Sequence, residues 1–174
     1  MQAVIYEKPG DLRVAEAPDP TPNAGEVVIK VGAVGICGSD LNIAAGLFPP
    51  TPFPIIPGHE FAGEVVAVAP GIDFVHEGDR VAVDPSLFCG HCPWCRVGRG
   101  NLCDNWGAIG DTVNGAAADY VAVPAVNCHQ IPDSMSFPRP QSSSRCRVPC
   151  TRSRWPRPGS GSPFSSSAVA PWAC

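Results

Sequence analysis

A mainly β domain carrying a metal-binding lobe is the fold class that residues 1–137 predict, and three observations carry it. Short stretches rich in branched apolar residues recur at close intervals, turn dipeptides bound them, and four cysteines with metal-ligand spacing sit between two of the stretches. Strands at that density suggest a barrel or a sandwich. At 174 residues the chain is long enough for one domain with a real core and short for two. No apolar run approaches the roughly 20 residues that a membrane helix needs, so no membrane partner is expected.

The strands follow in chain order. Gln2 to Glu7 ends at Pro9-Gly10, and Glu26 to Ile36 alternates around Val27, Ile29 and Val31. Ser39 to Gly46 reads as a short helix, since Ser39 or Asp40 can cap its start and Gly46 can end it. Phe61 to Val68 ends at Pro70-Gly71; Arg80 to Val83 comes next, and Asn114-Gly115 opens Ala116 to Val123.

Cys89, Cys92 and Cys95 are separated by two-residue gaps, and Cys103 follows from a short loop. Such spacing lets four thiolates converge on one tetrahedral Zn²⁺, a closed structural site. The alternative is two disulfides, which needs an oxidising compartment. Met1 to Tyr6 lacks the charged and apolar regions of a signal peptide, so a cytoplasmic, reduced protein is expected. His91 lies inside the cysteine loop, but four thiolates already fill a tetrahedron, which leaves it facing solvent.

A second constellation lies upstream, in Gly35-Ile36-Cys37-Gly38-Ser39-Asp40 and Pro57-Gly58-His59-Glu60. A thiolate and an imidazole suit Zn²⁺, and few protein ligands leave room for water or substrate, as a catalytic metal requires. Taken singly, Cys37 reads equally as a buried small hydrophobe and His59 as a turn histidine. His76 falls in a turn. Cys128 and His129 are strand neighbours that point to opposite faces, which argues against a shared metal.

With both constellations in view, residues 1–137 resemble the N-terminal catalytic domain of the zinc-dependent medium-chain alcohol and polyol dehydrogenases. The resemblance rests on Cys37-Gly38-Ser39-Asp40, Gly58-His59-Glu60, Gly78-Asp79-Arg80-Val81, the four lobe cysteines, Ala118-Asp119-Tyr120 and Ile131-Pro132-Asp133, in that order. It implies a GroES-like barrel, normally followed by a Rossmann domain that binds NAD or NADP. It also implies that Cys37 and His59 are ligands of a catalytic zinc, with Glu60 either a direct ligand or a brace beside the metal. Asp40 matches the carboxylate that orients the ligand histidine, and Ser39 the hydroxyl that takes the substrate proton. The relay histidine of some relatives is missing from Leu41-Asn42-Ile43. The chemistry implied is oxidation of an alcohol or polyol, with zinc lowering the pKa of the alcohol and a nicotinamide accepting hydride. Homo-oligomers are expected only of the full-length form.

The composition breaks at residue 138. The net charge of −4 divides into −10 over residues 1–137 and +6 over 138–174, where six arginines stand without a single Asp, Glu or Lys. Nine Ser and seven Pro among the last 37 residues predict a disordered tail that supplies no Rossmann domain. The genetic code offers an explanation for the break, with the free third bases chosen to suit it. Read one base out of frame, permitted codons for Pro138 to Thr151 spell E-A-A-V-V-E-P-L-S-C-A-V-H, the family's customary entry into its second domain. Those for Ala168 to Cys174 permit G-S-G-T-M-G-L, a dinucleotide-binding fingerprint. A frameshift near codon 138 is therefore expected, and the E-P glutamate would be a further zinc ligand.

Two further function classes compete with that of a dehydrogenase. A zinc-binding remnant without catalysis is what the literal 174 residues would be. A zinc-ribbon module for nucleic acid is disfavoured, because the acidic residues 1–137 would repel phosphate.

Overall fold

The computed structural model describes residues 1–135 and residue 137. The expected tail over 138–174 lies outside the described residues.

The chain opens with an antiparallel hairpin of β1 (Gln2–Lys8) and β2 (Asp11–Glu16), turned at Gly10. The long strand β3 (Glu26–Gly35) leads into helix α1 (Gly38–Ala44), and β4 (Glu60–Val68) and β5 (Arg80–Val83) follow. A lobe then projects between two short paired strands, β6 (Ser86–Leu87) and β7 (Gly107–Ala108), and holds the one-turn helix α2 (Pro93–Arg96). The chain returns through β8 (Tyr120–Pro124) and β9 (Cys128–Gln130).

The principal sheet has the order β8-β3-β4-β5-β9, antiparallel throughout. Alternation along the strands explains its core. Val27, Ile29, Phe61, Val65, Val81 and Val123 are fully buried in one cluster, each contributing about 1.5–3 kcal/mol by leaving water. A smaller cluster of Tyr6, Ile43 and Ile55 joins the hairpin to α1. Beside the sheet, β1 pairs with the segment before β8: Val4 N–H donates to Ala117 and Asp119 N–H to Gln2. The mainly β expectation holds. Among the described residues no parallel strand–helix–strand unit occurs.

Two expectations need correction, and one strand was not foreseen. The residue capping α1 is Cys37 rather than Ser39 or Asp40, because Asp40 occupies the third helical position and returns its carboxylate to the Cys37 N–H at 2.7 Å. The strand expected from Ala116 begins only at Tyr120, since the Ala116 and Ala117 N–H groups donate to Gly58 and Pro57. Strand β2 was not anticipated: Leu12 and Val14 face solvent among charged neighbours and show no buried face.

Candidate metal centres

The register of two strands brings the upstream motifs together. Gly35, the last residue of β3, pairs with Glu60, the first of β4. Cys37, two residues past β3, therefore stands beside His59, one residue before β4. The lack of a side chain at Gly35 is what admits Glu60, because a Cβ there would lie 2.8 Å from a Glu60 carboxylate oxygen.

The ligand atoms of Cys37, His59 and Glu60 lie within 4.8 Å of one another. Thiolate, imidazole and carboxylate form a donor set that suits Zn²⁺, and the spacing fits such an ion after small side-chain adjustments. His59 Nε2 lies 3.2 Å from Ser39 Oγ. Its other nitrogen, Nδ1, lies 3.4 Å from Asp40 Oδ1 and 3.3 Å from Asp111 Oδ1. Asp40 thus touches both Cys37, through the backbone amide, and His59.

These contacts set the acid–base state of the site in the absence of metal. The Asp111 carboxylate, then Asp40, push the His59 pKa up to about 11 against the opposing effect of burial. Burial raises the Cys37 thiol, but hydrogen bonds with Ser39 and His59 outweigh it and leave its pKa below the ordinary value. A cation at the centre would take over the charge compensation that the imidazolium provides.

Asp111 was missed by the sequence reading. Lying in a Gly-Asp-Thr turn, it looks like an ordinary turn residue; the only available signal was its place where the chain returns from the cysteine lobe to the sheet.

In the lobe, the ligand atoms of Cys89, Cys92, Cys95 and Cys103 also lie within 4.8 Å of one another, and all four are free thiols. Backbone amides point at the sulfurs. The Cys92 and Cys95 N–H groups donate to Cys89 and Cys92 at 3.4 Å, and those of Cys89 and Asn105 donate to Cys103 at 3.3 Å. The backbone amide of His91, then that of Cys92, pull the Cys89 pKa down to about 6, whereas burial first of all pushes Cys95 up to about 12. Four converging sulfurs with amide donors around them fit a tetrahedral Zn²⁺.

The remaining candidates stay apart from both clusters. His91 is exposed, with its ring nitrogen 2.8 Å from the Cys89 carbonyl. His76 lies in an exposed turn, its backbone N–H donating to Asp79. Cys128, whose pKa burial pushes up to about 12, and His129 belong to no ligand cluster among the described residues.

The fold and the two clusters define a mainly β domain with two candidate metal sites. Residues 23–133 match the alcohol dehydrogenase GroES-like domain, and the chain belongs to that family. It is 43% identical to L-threonine 3-dehydrogenase of Francisella philomiragia over 137 residues, covering 77% of this chain and 39% of that protein. The alcohol dehydrogenase RspB of Escherichia coli CFT073, solved with NADH, superposes with a TM-score of 0.71 at 42% identity, over 76% of this chain and 39% of that one. Galactitol-1-phosphate dehydrogenase of Escherichia coli superposes with a TM-score of 0.73 at 37% identity, over 78% of this chain and 39% of that one. The chain spans about 40% of the length of the curated relatives it matches.

Proposed function

We propose that this chain is the catalytic-domain portion of a zinc-dependent NAD(P) oxidoreductase acting on the CH–OH group of an alcohol or polyol. The observation that carries the reading is the convergence of Cys37, His59 and Glu60, with Ser39 Oγ 3.2 Å from His59. Cys37, His59 and Glu60 would hold zinc, which when bound supplies Lewis-acid polarisation and lowers the pKa of an alcohol. Asp40 orients the histidine and ties it to Cys37. Half-buried Ser39 is placed to take the substrate's hydroxyl proton at Oγ and pass its own toward solvent, the serine serving as a relay without changing its net protonation. Cys89, Cys92, Cys95 and Cys103 would hold a second, structural zinc.

A polyol, sugar or amino alcohol is the favoured substrate class. Glu60 supports it, and threonine and galactitol 1-phosphate in the names of two relatives both carry a secondary alcohol beside polar groups. We further infer that the dinucleotide-binding portion is encoded one base out of frame beyond codon 137, which the permitted codons of Pro138 to Cys174 support. A second reading, a zinc-binding domain without catalysis, is favoured for the literal 174 residues because no dinucleotide-binding unit occurs among the described residues.

Resequencing the gene across codons 130–180 tests the frame. A restored base, followed by chelator-sensitive reduction of NAD or NADP with polyols or amino alcohols, is the expected result. Confirmation of the written frame would leave the second reading, and a restored protein inactive on every alcohol would overturn the first.

A further inference from the structure

We propose that Asp111 is a second positioning carboxylate for His59, one that anchors the centre of Cys37, His59 and Glu60, called the upper centre below, to the cysteine lobe. The proposal rests on the reading of Cys37, His59 and Glu60 as a metal site.

The loop that carries Asp111 is held by local pairing and hydrogen bonds. It leaves the lobe through β7, which is paired with β6 at Ser86–Ala108 and Leu87–Gly107. The Thr112 hydroxyl accepts the Ala108 N–H at 2.9 Å, and the Asp111 and Thr112 N–H groups donate to the Ala108 carbonyl. Beyond the turn, the Asn114 side chain accepts the Ile56 N–H, and the N–H groups of Gly115 and Ala116 donate to Ile56 and Gly58. Gly115 packs so closely that a Cβ would lie 2.4 Å from the Gly58 carbonyl oxygen. The segment before His59 is therefore held against the Asp111 loop on both sides.

This placement leaves three buried atoms facing one another. Asp40 Oδ1, His59 Nδ1 and Asp111 Oδ1 are out of reach of water, and none has a hydrogen-bond partner of good geometry. The side chains of His59 and Asp111 are each 11% exposed and that of Asp40 is 5% exposed. A neutral imidazole that offers Nε2 to a metal carries one proton on Nδ1, and the two carboxylate oxygens share it. A carboxylate on each side fixes the plane of the ring and strengthens its other nitrogen as a donor.

The two carboxylates are not interchangeable. Asp40 belongs to α1 and holds the Cys37 amide, so it couples His59 to another ligand of the same centre. Asp111 comes from the loop that closes the cysteine lobe. It couples His59 to a different part of the chain.

The test compares wild type with Asp111→Asn and Asp111→Ala in the 174-residue chain. With zinc held in the lobe, Co²⁺ is titrated against a competing chelator and followed by its thiolate charge-transfer absorption; Cys37→Ser identifies which band belongs to the upper site. Asp111→Asn, close to the native side chain in shape, should bind Co²⁺ about 10–100-fold more weakly, the cost of removing a group that orients a metal-binding histidine. Lobe zinc content and circular dichroism should stay unchanged. Affinity within twofold of wild type in Asp111→Asn would overturn the proposal, even if Asp111→Ala fails to fold. A wild-type chain that keeps its lobe zinc but takes up no Co²⁺ would remove the metal reading itself, and the role of Asp111 with it.

Discussion

Gly58 and Gly110 meet backbone to backbone: a Cβ on Gly110 would lie 2.6 Å from the carbonyl carbon and oxygen of Gly58. Both residues have positive φ, 95° and 83°. The contact sets the loop bearing Asp111 directly beside His59. Gly110→Ala should therefore cost at least the roughly 1–3 kcal/mol of a left-handed alanine, and more through the clash. Gly25→Ala, with φ of 83° and open space around it, isolates the conformational part. Urea denaturation should give a larger loss at 110 than at 25; equal losses would mean that the packing contact is slack.

The lobe predicts a metal count. Cys92 is buried, and its sulfur accepts the Cys95 N–H at the start of α2; Cys92→Ser removes the thiolate ligand while its hydroxyl can still accept that N–H as a helix cap. Elemental analysis of purified protein should fall from two zinc ions per chain to one. Retention of two would show that the lobe binds metal without Cys92. Mild acid should release the lobe ion progressively, because protons compete with metal for the thiolates.

The parts of the fold that were legible in the sequence are those with one buried face. Val27, Ile29 and Val31 alternate, and Phe61 to Val68 follows the same rule, so β3 and β4 could be read directly. Strand β2 could not, because its apolar side chains stay in solvent, and β9 is only three residues long. The candidate metal ligands drew attention through residue type and spacing: Cys37 and His59 carry soft or borderline donors, and the lobe cysteines add two-residue gaps. The lobe cysteines' convergence follows from their two-residue gaps, but the meeting of Cys37 with His59 was not legible, since it depends on the Gly35–Glu60 register, a long-range pairing with no local signature. Asp111 stayed hidden for the same reason. It reaches His59 only through the packing of glycines from two distant loops.

Acid–base linkage gives a third prediction, for the chain stripped of metal. His59 has its pKa raised from 6.5 to about 11, chiefly by Asp111 and then Asp40. A raised folded-state value means that the charged ring stabilises the fold in full below about pH 6.5, and that this contribution is lost as pH climbs toward 11. Denaturation of the metal-free chain should accordingly show stability falling across that window. NMR of the His59 ring should report imidazolium at neutral pH. A ring titrating near 6.5 would mean that the two carboxylates do not face it in solution.

The core supplies a last prediction, and it connects stability to the site. Phe61 is fully buried in β4, two residues after His59, and packs among the valines and isoleucines of the principal sheet. Phe61→Ala leaves a cavity that the close-packed sheet can only partly collapse, a loss of about 3–5 kcal/mol. Phe74, 52% exposed, provides the contrast, since its replacement by Ala should change stability by less than about 0.5 kcal/mol. Because β4 also begins with Glu60, loosening the strand should weaken metal uptake at the upper centre more than in the lobe, which hangs from β6 and β7. Denaturation and Co²⁺ titration of the same samples would show it; equal weakening at both centres would mean that the core supports the two sites alike.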